Sequence, residues 1–337
     1  MTTLHNSQIL LRSRPAGSPS LDNFALVETP VPPIAEGQVL RRTLYLSLDP
    51  YMRGRMSAGP SYAAPAEVGQ VMVGGTVSQI MESRDPSFAP GDFVLGYDGW
   101  QSYGLSAGRL LSKVDPALGP VSYALGLLGM PGMTAYVALL DIGRPVAGET
   151  VVVSAASGAV GSVVGQIAKI KGCRVVGFAG RDDKCRYVTE EFGFEACINY
   201  KTQDLDAALL DACPNGIDVY YDNVAGGILE AVLRHINIGA RIPLVGLISQ
   251  YNAEKLPPGP NLGVLLTKRA LIQGFLVGDH NDRYAAFLAD VSRWLHEGRL
   301  KYREDVVEGL ADAPRAFLGL FEGKNFGKLL VKASEPG

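Results

Sequence analysis

The first 120 residues contain no cysteine and a single histidine, His5. That stretch therefore lacks the thiolate and imidazole ligands with which a catalytic zinc is usually held. The chain's 4 cysteines, Cys173, Cys185, Cys197 and Cys213, fall within residues 173–213 and form no C-x-x-C pair. Neither a structural zinc cluster nor a disulfide framework is indicated, and a reduced, cytoplasmic protein is expected. The histidines show no metal or triad spacing, and His235 and His296 read as ordinary helix residues. Excess charge is missing too: the formal net charge of −3 offers no basic field to nucleic acid or to an anionic membrane. No basic-then-apolar leader opens the sequence, so secretion is not expected.

Charge disappears altogether between Asp115 and Asp141, a stretch that includes "YALGLLGMPGMTAYVALL". Its length suits a membrane span. However, Pro131 and the glycines around it would leave backbone groups unsatisfied in lipid, so a buried helix-turn-helix is the expectation.

What is present divides the chain in two. The first 120 residues carry short β-prone runs, "SQILLRS", "QVLRRTLYLSL", "VGQVMVGGTVSQI" and "DFVLGY", separated by Gly- and Pro-rich turns. That texture predicts an all-β, barrel-like region. From Glu149 onward, compact apolar runs ("TVVVSA", "CRVVGFAG", "ACINY", "IDVYYDN", "ARIPLVG", "LIQGFLV") alternate with helical patterns such as "GSVVGQIAKIKG" and "GGILEAVLRHI". This alternation predicts βαβ units and a doubly wound parallel sheet. A last helix, "YAAFLADVSRWLHEG", precedes a tail whose "GKLLVKA" is expected to return to the first domain.

The chemistry starts at "AASGAVG", residues 155–161, a near match to G-x-G-x-x-G with Ala156 at the first glycine. An apolar strand leads into it and an amphipathic helix follows, which is the context a pyrophosphate site needs. Gly158 lets backbone approach the phosphates, Gly161 lets helix pack on strand, and the helix N-terminus offers free N–H groups. In an NAD site, an acidic residue about 20 positions on binds the ribose 2′-OH. Here Arg181 ends the second strand, with Lys184 close behind. Cations at that point favour the 2′-phosphate of NADPH. Asp182 and Asp183 leave open a solvated mixed-charge turn.

The motifs "SLDPYMR" (47–53), "GMPGMTAY" (129–136), "SAASGAVGSVVGQIAKIKGC" (154–173), "DNVAGG" (222–227), "GLISQYN" (246–252) and "GKNFGKLLVK" (323–332) occur together. Through them the chain resembles the zinc-independent branch of the medium-chain dehydrogenase/reductases. Within that branch it is most similar to the leukotriene B4 dehydrogenase/prostaglandin reductase group, with its alkenal and curcumin reductases. The resemblance implies an α/β protein with a GroES-like β-barrel substrate domain (1–125 and 300–337), a Rossmann NADP-binding domain (126–299) and a cleft between them. It implies NADPH-dependent reduction of the C=C bond of α,β-unsaturated ketones and aldehydes, and a homodimer. By motif position, Gly158, Ala159, Val160 and Gly161 meet the pyrophosphate, Lys184 the 2′-phosphate, and Tyr200 the adenosine. Asn223, Gly246, Ile248, Ser249, Tyr251 and Asn252 line the nicotinamide half, together with Phe275, Leu276, Val277 and Asn325. Arg181 replaces a residue that is small in much of the family, so its phosphate contact rests on charge alone.

Related alcohol dehydrogenases polarise a carbonyl with zinc; without those ligands another electrophile must hold the substrate oxygen. Tyr251 and Tyr51 are the candidates, each able to donate a phenolic hydrogen bond to a developing enolate. The plain alternative is aromatic packing, since the chain has 14 tyrosines. Arg53 reads equally as a guide for an acidic substrate or as a structural ion-pair partner. Two other functions stay open: an NADPH quinone oxidoreductase, and an NADPH-binding protein without turnover.

Overall fold

The computed structural model describes residues 4–337. The chain forms two compact units. One runs to Leu125 and takes in Glu304–Asn325 and Leu329–Gly337; the other comprises Gly126–Arg303 and Phe326–Lys328.

In the first unit, β1 (His5–Leu11) and β2 (Phe24–Pro30) form an antiparallel pair. Five further strands follow: β3 (Gln38–Ser47), β4 (Thr76–Ser83), β5 (Phe93–Gly96), β6 (Tyr103–Ala107) and β7 (Ser112–Lys113). A five-residue helix, α1 (Tyr51–Arg55), lies between β3 and β4. β3 organises the unit, pairing antiparallel with both β4 and β6. Val39, Arg41 and Thr43 are buried on alternate positions of β3, as the two-residue period of a strand requires. The buried Arg41 is matched by Asp98, with Nε 3.1 Å from Oδ2. Among the described residues, the strand pairing forms an open sheet and does not close into a barrel. The run "VGQVMVGGTVSQI" becomes a strand only from Thr76, and Val71 makes just one bridge, to Leu10. Gly74 and Gly75 interrupt the β-branched pattern at the point where the ladder stops.

The second unit opens with α2 (Met130–Val137). Pro131 falls in its first turn, where a missing N–H costs no helical hydrogen bond. The uncharged stretch is thus a short buried helix, extended by the wider turn Ala138–Gly143. No helix among the described residues is long and apolar enough to cross a membrane.

Six strands then alternate with helices: β8 (Thr150–Val153), α3 (Gly161–Ile170), β9 (Arg174–Ala179), α4 (Asp182–Phe192), β10 (Ala196–Asn199) and α5 (Leu205–Ala212). β11 (Ile217–Tyr221), α6 (Gly226–Leu233), β12 (Ile236–Leu244), α7 (Gly263–Lys268), β13 (Leu271–Gly274) and α8 (Tyr284–His296) complete the series. The sheet is parallel, in the order β10-β9-β8-β11-β12-β13. β8 and β11 therefore flank the point where strand order reverses, and ligands of such sheets bind beside the carboxyl ends there. Val152, Val176, Phe178 and Tyr220 sit in its core with the inner face of α6. His235 lies beyond the end of α6, with Nε2 2.8 Å from Asp206 Oδ1. Its place is the turn into β12, not a helix.

The tail supplies β14 (Glu304–Glu308), α9 (Ala313–Phe321) and β15 (Lys328–Lys332). β15 pairs antiparallel with β3, Leu330 opposite Ser47, as the return of "GKLLVKA" predicts. In the same unit Phe317 of α9 meets Trp100 edge-on at 5.6 Å, while Phe24 stacks on Trp100 at 5.4 Å.

Candidate active site

The loop from β8 to α3 is shaped by two close approaches. A Cβ on Gly161 would lie 2.3 Å from the Ala155 carbonyl oxygen, so only glycine lets the helix start there. The left-handed position of the turn is Ala155, at φ 52°, not Ala156. Ala156 keeps an ordinary backbone, donates its N–H to Phe178 O at 2.9 Å, and is fully buried. Its methyl fits because the facing residue on β9 is Gly177, where a Cβ would come within 2.6 Å of it. The departure from the fingerprint is thus absorbed by the neighbouring strand.

No side chain caps the start of α3, so its first N–H groups are not taken up by a capping side chain. An uncapped helix start, beside two backbone positions with no side chain, fits a pyrophosphate.

Asp222, at the carboxyl end of β11, is fully buried and braces this loop. Its Oδ1 accepts from Tyr220 Oη at 2.8 Å, from the amides of Val224 and Ala225 at 2.9 and 2.8 Å, and from Ser154 Oγ at 3.2 Å. Its Oδ2 is buried with no partner among the described residues. Burial pushes the carboxyl above its ordinary range, against the opposing pull of those hydrogen bonds. Asn223 donates its side-chain amide to Ser154 O and its backbone N–H to Ser154 Oγ, both at 2.8 Å. Ser154 and Asp222 both lie inside the quoted motifs, yet no spacing rule marks them, because their role is mutual.

Residues 246–252 cross over this turn. Gly246 N donates to Asp222 O at 3.1 Å, Ile248 N to Asn223 O at 3.5 Å, and Ser249 Oγ to Val224 O at 2.6 Å. The Tyr251 phenol oxygen accepts from the Leu247 amide at 3.3 Å, which leaves its own hydrogen available to donate elsewhere. Burial raises its pKa and so keeps it protonated. Asn252 lies next to it in this turn. Phe275 is buried beyond β13, its ring stacked on His280 at 4.9 Å, while Leu276 is exposed and Val277 begins the next turn.

On the other side of β8, Arg181 directs its Nε to Asp183 Oδ1 at 2.9 Å and forms an ion pair with the same carboxylate. Lys184 is buried, with Nζ 6.0 Å from the centre of the Phe326 ring. Tyr200 follows β10 and places its hydroxyl against the backbone of Gly180, which precedes Arg181.

Tyr51, Arg53 and Asn325 belong to the first unit and the other candidates to the second. Tyr51 opens α1 and packs against the apolar cluster around Met52 and Trp100. Burial, reinforced by the Asp49 carboxylate, pushes its phenol far above the usual tyrosine range. Arg53 is buried, donating to Ser57 Oγ at 2.9 Å and to Gly17 O at 2.7 Å. The second contact ties α1 to the loop between β1 and β2. Among the described residues, no group of three or more His, Cys, Asp or Glu is placed to hold a metal ion.

Two family models match the chain. One, described as the N-terminal domain of oxidoreductase, covers residues 7–114; the other, described as zinc-binding dehydrogenase, covers residues 159–293. The chain is 51% identical to NADPH-dependent curcumin reductase of Escherichia coli, covering 98% of this chain and 97% of that protein. It is 43% identical to an NADP(+)-dependent 2-alkenal reductase of Nicotiana tabacum, covering 98% of each. The crystal structure of CurA from Vibrio vulnificus in complex with NADPH superposes with a TM-score of 0.93 at 51% identity, over 98% of this chain and 100% of that one.

Proposed function

Since the chain belongs to the zinc-independent double-bond reductases of the medium-chain dehydrogenase/reductase superfamily, we propose that it reduces the C=C bond of α,β-unsaturated ketones and aldehydes with NADPH. The observation that carries this reading is full-length similarity to proteins named for that chemistry, joined to a glycine-rich loop and an uncapped helix start that suit a dinucleotide. Quinone reduction and binding without turnover have no comparable support.

NADPH, when bound, supplies the hydride that reaches the β-carbon. The remaining work falls to this chain's residues. The amides of Ala159, Val160 and Gly161 hold the pyrophosphate, Lys184 the 2′-phosphate, and Tyr200 covers the adenosine. Asn223, the 246–252 turn, the residues Phe275, Leu276 and Val277, and Asn325 line the nicotinamide half. Tyr251 donates a phenolic hydrogen bond to the substrate carbonyl and stabilises the enolate as charge builds on oxygen; a proton, from Tyr251 or from water, then reaches the α-carbon and completes the saturated product. Tyr51 orients the same substrate in the ground state.

A homodimer is part of this reading. Among the described residues β13 is an edge strand with its backbone unpaired on one side, and Leu266, Leu271 and Leu276 are exposed around it. A second copy adding its own β13 would cover both. The buried or half-buried free thiols suit a reducing, cytoplasmic setting. The decisive experiment is NADPH-oxidation kinetics over a panel of enones, enals, quinones and long-chain oxo-lipids, with the mass in solution measured by light scattering. Turnover confined to quinones, or none at all, would overturn the reading.

A further inference from the structure

We propose that Arg303 is a second cation for the 2′-phosphate of NADPH, beside Lys184, and that Phe326 is the platform that positions it. The inference rests on the NADPH reading above and adds a specificity residue to it.

Arg303 lies more than a hundred residues from α4 in sequence, yet its guanidinium sits 4.0 Å from the centre of the Phe326 ring and 5.1 Å from that of Tyr187. Tyr187 meets Phe326 edge-on at 4.9 Å and stands one helical turn beyond Lys184 on α4. Lys184 Nζ approaches the same Phe326 ring at 6.0 Å. One aromatic ring therefore lies within 6.0 Å of two cations, beside the helix that follows β9, where a Rossmann sheet reads the ribose 2′ position.

The backbone holds this arrangement against the cofactor loop. Lys328 N donates to Arg303 O at 3.0 Å, and Gly327 forms a parallel bridge with Gly158 of the glycine-rich turn. The guanidinium itself has no carboxylate or other hydrogen-bond partner among the described residues. Arg181, the nearer arginine in sequence, is already paired with Asp183.

Charge balance points to the ligand. Arg303 brings a guanidinium to the same ring that Lys184 approaches. A phosphate monoester carries about −1.5 to −2 at neutral pH, which matches Lys184 and Arg303 together better than either alone. The planar guanidinium is held by stacking, so its N–H edge stays free to meet phosphate oxygens.

The test measures dissociation constants of the full-length protein for NADPH, NADH, 2′,5′-ADP and 5′-AMP by calorimetry, with no turnover involved. Arg303→Gln should weaken NADPH and 2′,5′-ADP by about 10–30-fold and leave NADH and 5′-AMP within about twofold. Arg303→Lys should retain most of the preference, and Phe326→Leu should lose about 3–10-fold of it while the arginine is still present. Equal weakening of NADPH and NADH by Arg303→Gln would mark a contact elsewhere on the dinucleotide and overturn the proposal, as would no change in either. If the unmodified protein fails to prefer NADPH over NADH, the cofactor reading itself falls, a result distinct from both.

Discussion

Ala156 and Gly177 are complementary: the methyl of one fills the space that the other leaves by having no side chain. The fingerprint's first glycine is thus dispensable only while the facing strand keeps its own. Gly177→Ala should destabilise the protein by about 1–3 kcal/mol through overpacking, whereas Ala156→Gly should cost about 1 kcal/mol or less. Denaturant titration of the two variants and of the double variant checks this. The double variant should recover most of what Gly177→Ala loses.

Tyr251→Phe removes one hydrogen-bond donor and keeps the ring. Under the proposed mechanism kcat should fall by about 10–1000-fold, with NADPH affinity nearly unchanged. Tyr51→Phe should raise KM more than it lowers kcat. Burial raises the Tyr251 pKa, so its phenol stays protonated above the ordinary tyrosine value. The kcat profile should therefore show no loss from this group below about pH 10. Single-turnover hydride transfer at the unmodified rate in Tyr251→Phe would remove that residue from the chemistry.

Asp222 carries a buried carboxylate whose second oxygen is unpartnered among the described residues. Its folded pKa is raised, so ionisation is harder in the folded state than in the unfolded chain. The resulting penalty is absent below the unfolded pKa of about 4, grows as pH rises to the folded value and is constant above it. Asp222→Asn keeps an acceptor for the Val224 and Ala225 amides and removes the charge. Its stability relative to the unmodified protein should therefore rise between pH 4 and pH 8 in urea titrations. Asp222→Ala, which strands those amides and Tyr220, should lose about 2–4 kcal/mol.

Lys184 and Arg181 should differ in cofactor choice despite their proximity. Lys184→Gln should weaken NADPH by about 10–100-fold and NADH by less than about threefold. Arg181→Gln should have a smaller effect on NADPH, because Asp183 already occupies its guanidinium. Fluorescence titration with both nucleotides decides the order.

Activity should persist after prolonged incubation with EDTA, and elemental analysis of the purified enzyme should find no stoichiometric zinc. The basis is the sequence, which offers no cysteine and one histidine ahead of residue 120. Inactivation reversed by Zn²⁺ would overturn it.

The parallel sheet is legible in the sequence because each of its strands is a short apolar run bounded by helix or turn signals. The return of "GKLLVKA" to the first unit is legible for the same reason. What stays hidden is whatever two distant segments decide jointly. No local pattern reveals that Gly177 makes room for Ala156, or that Asp222 organises Ser154 and the 222–225 turn. Arg181 stands at the expected phosphate position by count, but Asp183 two residues on captures it, a choice that only rotamer geometry resolves. Arg303 and Phe326 are silent because their meeting depends on the tail. In the first unit, alternating runs identify strands but do not say whether the edges meet, and "barrel-like" overstates an open sheet.

The pairing of β15 with β3 also bears on how the protein is made. Synthesis runs from the amino end, so β3 emerges early and waits for a partner encoded near the far end. The central parallel sheet needs nothing from either terminus for its strand order, and can be complete while Tyr45–Ser47 of β3 still lack the partner that β15 supplies. During that interval the backbone of those residues is an open strand edge, the kind of surface from which aggregation starts.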